Sequence, residues 1–344
     1  MSRNRSAVGA HLVGSVPVTT AEECFRLAMA HLGRHLKRLP DGEVGERDTW
    51  IRWQYPRLLA SPQMEESDAA AVYVPRKPLR IAKGVESADD IEFPDIGYAR
   101  AAIESFAVFQ SLVDEGVIPP DRRFQVGLPT PLSVAVFYVE PTSRPTFEQA
   151  YRRAIGNELE QILEVIPAEK LAVQWETVAE FALLEGLMDN HLDGDLIRHI
   201  SNRVAALVDM VPEPAEAGIH LCYGDSGHKH FCEPADASYL VQIANGIAAN
   251  ADKAIAWIHL PVPRERDDAA YYAPLADLGI AETTELYLGL VHVTGGEEAT
   301  LKRIDTASKF VNRFGVATEC GLGRRDPATV PELMDQHARV ADEI

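Results

Sequence analysis

The sequence predicts an α/β fold, a single (β/α)8 TIM barrel over residues 1–344 with an insertion around residues 61–95. Three observations predict it. Short apolar runs alternate with amphipathic stretches along the whole chain, and alternating β and α implies a parallel sheet. The alternation gives eight strand-then-helix units, the count of a barrel in a chain of this length. The first βα turn carries no G-x-G-x-x-G, which argues against the alternative, an open doubly wound sheet. No linker, low-complexity run or repeat divides the chain, and 344 residues at 46% hydrophobic content are ample for a large core.

The elements follow in order. Residues 7–15 (AVGAHLVGS) read as the first strand. Thr19 and Thr20 are N-cap candidates for a helix through AEECFRLAMAHLG, with Gly33 as its C-cap. A short strand at 36–39 runs into Pro40-Asp41-Gly42-Glu43. Residues 46–59 read as a helix carrying Trp50 and Trp53, residues 61–95 as an irregular insertion rich in Pro, Asp and Ser, and residues 96–115 as a helix. The strand at 124–128 ends at Pro129-Thr130-Pro131, and a long helix with apolar residues at helical spacing covers 146–165. A strand at 171–175 ends at Glu176, and a helix covers 195–211. The strand at 219–222 precedes a helix at 237–249, and the strand at 254–258 ends at His259. A short helix follows Asp267 and Asp268; the strand at 286–291 ends at His292, before a helix at 297–314. The strand at 316–318 ends at Glu319-Cys320, and a helix at 331–344 closes the pattern.

Composition narrows the partners. A net charge of −19 argues against nucleic acid or an anionic membrane surface. Four cysteines are too sparse for a disulfide framework and fit a reducing compartment, with metal or catalytic use for some of them. The first residues lack a signal-peptide core, and no apolar run reaches membrane-spanning length, so a cytoplasmic protein is expected.

In a barrel enzyme the site lies at the C-terminal ends of the strands. Those ends carry Gly14/Ser15, Glu43, Thr130, Glu176, His220/Cys222, His259, His292 and Cys320. Buried unpaired carboxylates cost several kcal/mol each, so gathering two of them with three histidines and two cysteines points to a site. His220 and Cys222 lie two apart on one strand face, and imidazole and thiolate are the commonest zinc ligands. Taken alone, that pair also reads as a packed core His and Cys. With Cys320 it makes a zinc site with an open position, able to lower the pKa of a thiol or to activate water. The following loop offers His228, His230, Cys232 and Glu233 as competing ligands, or is a polar loop over the barrel mouth.

Six short motifs stand in order at these ends. They are VGSVP at 13–17, Asp41-Gly42-Glu43 with Arg47 and Asp48, VQWE at 173–176, HLCY at 220–223, LVH at 290–292 and ECGLGR at 319–324. In these motifs the chain resembles the catalytic barrel of cobalamin-independent methionine synthase, in the superfamily shared with uroporphyrinogen decarboxylase. The resemblance implies that Gly14, Ser15, Glu43 and Glu176 bind the amino-acid substrate and that His220, Cys222 and Cys320 hold Zn2+. It further implies that His292 moves a proton. His259 stands where the family has a glutamate ligand, which leaves the third ligand open between His259 and the loop residues. The loop after Cys222 is longer than in the family, and the folate-contacting tryptophan has no counterpart in residues 127–134. The family's large N-terminal domain also lacks a counterpart, so folate is not assumed as the donor.

The first expectation is therefore a zinc-dependent methyl or alkyl transferase activating a small thiol or amino-acid substrate, with homo-oligomer formation left open. A second is a lyase, hydrolase or decarboxylase on the same barrel, using Arg264, Arg266, Arg324 and Arg325 on a carboxylate or phosphate; as solvated charges these arginines would instead pair with Asp267 and Asp268. A third is a non-catalytic barrel with a closed four-ligand zinc.

Overall fold

The sheet grows by adding each new strand beside the last, all pointing the same way. The computed structural model describes residues 8–69, 76–227 and 229–344. Its strands are β1 (Arg38–Pro40), β2 (Met64–Glu66), β3 (Leu79–Ile81), β4 (Arg123–Pro129), β5 (Leu171–Thr177), β6 (Glu216–Leu221), β7 (Trp257–Pro261), β8 (Glu285–Gly289) and β9 (Gly315–Val316). Seven of them form one curled parallel sheet in the order β1-β4-β5-β6-β7-β8-β9. Central strands such as β5 and β7 are buried along their whole length, as a sheet covered on both faces requires.

The helices are α1 (Ala21–Leu32), α2 (Gln54–Leu59), α3 (Tyr98–Asp114), α4 (Pro131–Tyr138), α5 (Arg144–Val165), α6 (Ala179–Leu184), α7 (Leu196–Val208), α8 (Ser238–Asn250), α9 (Ala269–Tyr272), α10 (Gly296–Ala307) and α11 (Val330–Asp342). Thr20 caps α1 by accepting from the Glu23 amide at 3.2 Å, as expected. None of the described helices is long and apolar enough to cross a membrane.

Five elements differ from expectation. The stretch expected as the first strand is reduced to isolated parallel bridges, Ala10 with Val316 of β9 and Ser15 with Gly42 beyond β1 (Ala7 lies outside the described residues). Gly9 explains the broken ladder: its φ is +99°, and a Cβ there would lie 2.5 Å from the His35 carbonyl oxygen. The helix expected at 46–59 shrinks to α2, because Trp50, inside that stretch, takes a left-handed φ of +60°. The insertion contains an antiparallel hairpin, β2 with β3, and its residues 70–75 lie outside the described residues. Helices α4 and α6 were not foreseen. All eight residues of α4 are buried, so it has no polar face to betray a helical period.

Candidate functional site

Register sets the floor of the site. Glu176 of β5 pairs with His220 of β6, and His220 pairs with His259 of β7, so three polar side chains share one level of the sheet. Just past the ends of β6 and β9 come Cys222 and Cys320. One donor atom from each of His220, Cys222 and Cys320 lies within 4.8 Å of the others, and the two sulfurs are 3.7 Å apart. The Gly224 amide also donates to the Cys222 sulfur at 3.3 Å. The thiol–thiol hydrogen bond and then burial push the Cys320 thiol well above its ordinary pKa. Burial, reinforced by His259, pushes His220 well below the usual imidazole range. Among the described residues Nε2 of His220 is buried without a partner. Two thiols, an imidazole nitrogen lacking a partner and an adjoining cavity match the donor set of a zinc site with one position open.

His259 does not join this group. Its Nδ1 faces Nδ1 of His220 at 2.7 Å and its Nε2 faces the Thr318 carbonyl oxygen at 2.9 Å, so both ring nitrogens are engaged. The physical reason is that His220 and the Thr318 carbonyl occupy its two ring nitrogens; β7 itself runs on to Pro261, past the expected strand end at 258. Of the loop residues offered as competing ligands, His230 and Glu233 meet each other at 3.5 Å, and neither they nor Cys232 belong to the cluster. His228 lies outside the described residues.

The cluster opens into a cavity of ≈ 260 Å³ whose walls include Ser15, Glu43, Trp50, Glu176, Asp225 and Arg324. Glu43 and Glu176 converge there in space left by two glycines. A Cβ on Gly127 would lie 2.6 Å from Glu176 Oε1 and 3.2 Å from Glu43 Oε1, and one on Gly14 would lie 2.7 Å from Glu43 Oε1. Burial pushes the Glu176 carboxyl up to about 7, although Trp50 Nε1 and Gln174 donate to it. Burial and the neighbouring Glu176 charge push Glu43 well above the carboxylate range. Glu43 itself sits at φ +51°, its amide donating to Asp41 at 3.0 Å, while Arg47 and Ser105 each hold Asp41 at 2.6 Å. Burial raises Asp225 to about 7. Ser15 is clamped to the loop after Cys320: its carbonyl accepts from Leu322 at 2.6 Å and its hydroxyl from Gly323 at 3.3 Å.

His292 is buried but is not on the cavity wall. Its Nδ1 meets Glu319 Oε2 at 2.9 Å. Burial opposes ionisation of Glu319, yet the His292 charge, its hydrogen bond and Arg325 outweigh that and hold the carboxyl well below its ordinary range. Sequence reasoning missed Trp50, Gln174, Asp225 and Glu319 as members of the network. Gln174 and Glu319 stood inside quoted motifs, so adjacency was the available signal; nothing local marks Gly127.

The fold is a curled parallel sheet wrapped by helices, with the His220–Cys222–Cys320 cluster and the Glu43–Glu176 pair at its C-terminal side. No family model and no curated protein matches the sequence. Solved structures do match in shape. A putative vitamin-B12-independent methionine synthase from Listeria monocytogenes superposes with a TM-score of 0.60 at 14% identity, over 99% of both chains. A B12-independent methionine synthase from Shewanella sp. W3-18-1, solved in complex with selenomethionine, superposes with a TM-score of 0.62 at 12% identity, over 98% of this chain and 97% of that one.

Proposed function

We propose that the chain is a zinc-dependent, methionine-synthase-like transferase that methylates or alkylates the sulfur of a small thiol amino acid. In this reading residues 1–344 are a single (β/α)8 barrel domain, with the stretch at 8–16 as its eighth strand. The observation that carries the proposal is the shared cavity, on which the His220–Cys222–Cys320 cluster and the Glu43–Glu176 pair both open. The neighbour that holds selenomethionine supports an amino-acid ligand with a chalcogen side chain.

His220, Cys222 and Cys320 would hold the zinc. When bound, it supplies a Lewis acid that keeps a substrate sulfur deprotonated near neutral pH. Glu43 and Glu176 bind the substrate ammonium, and its positive charge offsets the repulsion that keeps the pair partly protonated. Gly14 and Ser15 receive the carboxylate. His292, oriented through Nδ1 by Glu319, moves a proton with Nε2, which has no partner among the described residues. Four free cysteines fit a reducing, cytoplasmic setting.

The test is elemental analysis of protein purified without chelators, compared with the Cys222→Ala/Cys320→Ala double variant. The expected result is about one zinc per chain, absent from the variant, together with loss of alkylation of homocysteine-like thiols in a donor screen. A wild-type protein without metal, both thiols being free, overturns the proposal.

A further inference from the structure

We infer that His259 is a positioning residue, which fixes the tautomer of His220 and thereby presents His220 Nε2 as a bare lone pair to the metal position. The inference rests on the reading of His220 as a zinc ligand, but its geometry can be tested without metal.

The Thr318 carbonyl oxygen can only accept, so His259 Nε2, at 2.9 Å, carries a hydrogen and donates it. Both rings are fully buried, and among the described residues neither is hydrogen-bonded to a carboxylate, so each carries a single ring proton. His259 Nδ1 is then a lone pair. It faces His220 Nδ1 at 2.7 Å, and two lone pairs do not approach that closely, so His220 Nδ1 carries the hydrogen. The only nitrogen of His220 left without a proton is Nε2, the buried atom with no partner among the described residues. The order is Thr318 carbonyl, His259, His220, metal position, each step dictated by the one before.

Strand pairing makes the relay rigid. His220 and His259 are register partners on β6 and β7, and Thr318 lies two residues past β9. A ligating histidine usually has its second ring nitrogen held in this way by a carboxylate, carbonyl or water. Here a second imidazole does that work and adds no charge. The protein donors are then two sulfurs and one nitrogen, which leaves the remaining position to substrate or water.

Two measurements test this. The first is 15N NMR of the metal-free full-length chain labelled in histidine, with His220→Gln and His259→Asn used for assignment. The expected spectrum shows His259 protonated on Nε2 and His220 protonated on Nδ1. His220 protonated on Nε2 overturns the inference. The second is zinc X-ray absorption and zinc affinity of wild type, His259→Asn and His259→Leu. The expected wild-type shell holds two sulfurs and one histidine nitrogen; two histidine nitrogens overturn the inference. His259→Leu should keep the stoichiometry yet bind zinc about 10–100-fold more weakly. His259→Asn, whose Oδ1 takes the place of Nδ1 as acceptor, should recover most of that loss. Equal affinity in wild type and His259→Leu also overturns it. A wild-type protein that takes up no zinc refutes the proposed function, and the tautomer measurement then decides the relay alone.

Discussion

The two ends of the sheet bury charge in opposite ways. At the N-terminal end, Arg38 opens β1, Arg123 opens β4, Glu216 opens β6 and Glu285 opens β8. Arg38 meets Glu216 at 2.5 Å and Glu285 at 2.8 Å, with its guanidinium 4.2 Å above the Trp257 ring. Arg123 adds Glu216 at 3.1 Å and three carbonyl oxygens. Burial opposes the charge on Glu285, but Arg38 and Lys37 outweigh it and hold the carboxyl below its ordinary range. At the C-terminal end, burial wins instead: Glu176 is raised to about 7, Glu43 faces it as a like charge, and His220 Nε2 has no partner among the described residues. Desolvation acts at both ends. At the N-terminal end the chain itself supplies the counter-charges; at the C-terminal end it does so for Glu319 and Asp41, through His292, Arg325 and Arg47, but not for the Glu43–Glu176 pair, where burial prevails.

The largest way to break this comparison is the Cys222→Ala/Cys320→Ala variant. It should lose metal and turnover completely while the Arg38 end stays intact, seen as unchanged far-UV circular dichroism. Next comes Arg38→Met, which removes the buried cation shared by Glu216 and Glu285 and leaves them only Arg123 and Lys37. Removing one partner from a buried ion cluster costs about 3–5 kcal/mol, measurable by urea unfolding, with zinc content unchanged. Loss of zinc without loss of stability would show that the two ends are not separate.

A pH series sharpens the contrast. Glu176 is raised in the folded state from 4.5 to about 7, so its contribution is present below pH ~4.5 and is lost as pH rises through about 7. Relative to Glu176→Gln, the wild type should lose on the order of 2–3 kcal/mol of unfolding free energy between pH ~5 and ~8. No difference in slope between the two would mean that Glu176 is ionised throughout. The smallest effect belongs to Gly127→Ala. The new methyl presses on the carboxylate ends of Glu176 and Glu43, so stability should fall by about 1 kcal/mol. Calorimetry should still show weaker binding of an amino-acid ligand, because the carboxylate pair has moved.

Much of this was legible in the sequence. Strand-to-helix alternation located the seven strands of the sheet, and the HLCY and ECGLGR motifs contain the three residues of the cluster: Cys222 follows β6 directly, and Cys320 comes four residues after β9. The expected strand ended at 258, whereas β7 runs to Pro261; that both nitrogens of His259 are taken, by His220 and the Thr318 carbonyl, is a contact between strands that no local pattern displays. Helix α4 was hidden by being apolar all round. Contacts between distant segments, such as Trp50 on Glu176 and Glu319 on His292, leave no periodic trace, because Trp50, Glu319 and His292 lie in loops outside the strands.

Trp50 gives the molecule an optical consequence. Of the four tryptophans, Trp175 and Trp257 are fully buried and Trp53 nearly so, while Trp50 alone lines the main cavity among the described residues, its indole N–H on Glu176. An occupant that binds Glu176 changes the charge and hydrogen bonding of the carboxylate on which the indole N–H rests. The event at the centre of the proposed chemistry therefore carries its own fluorescent signal, readable in unlabelled protein.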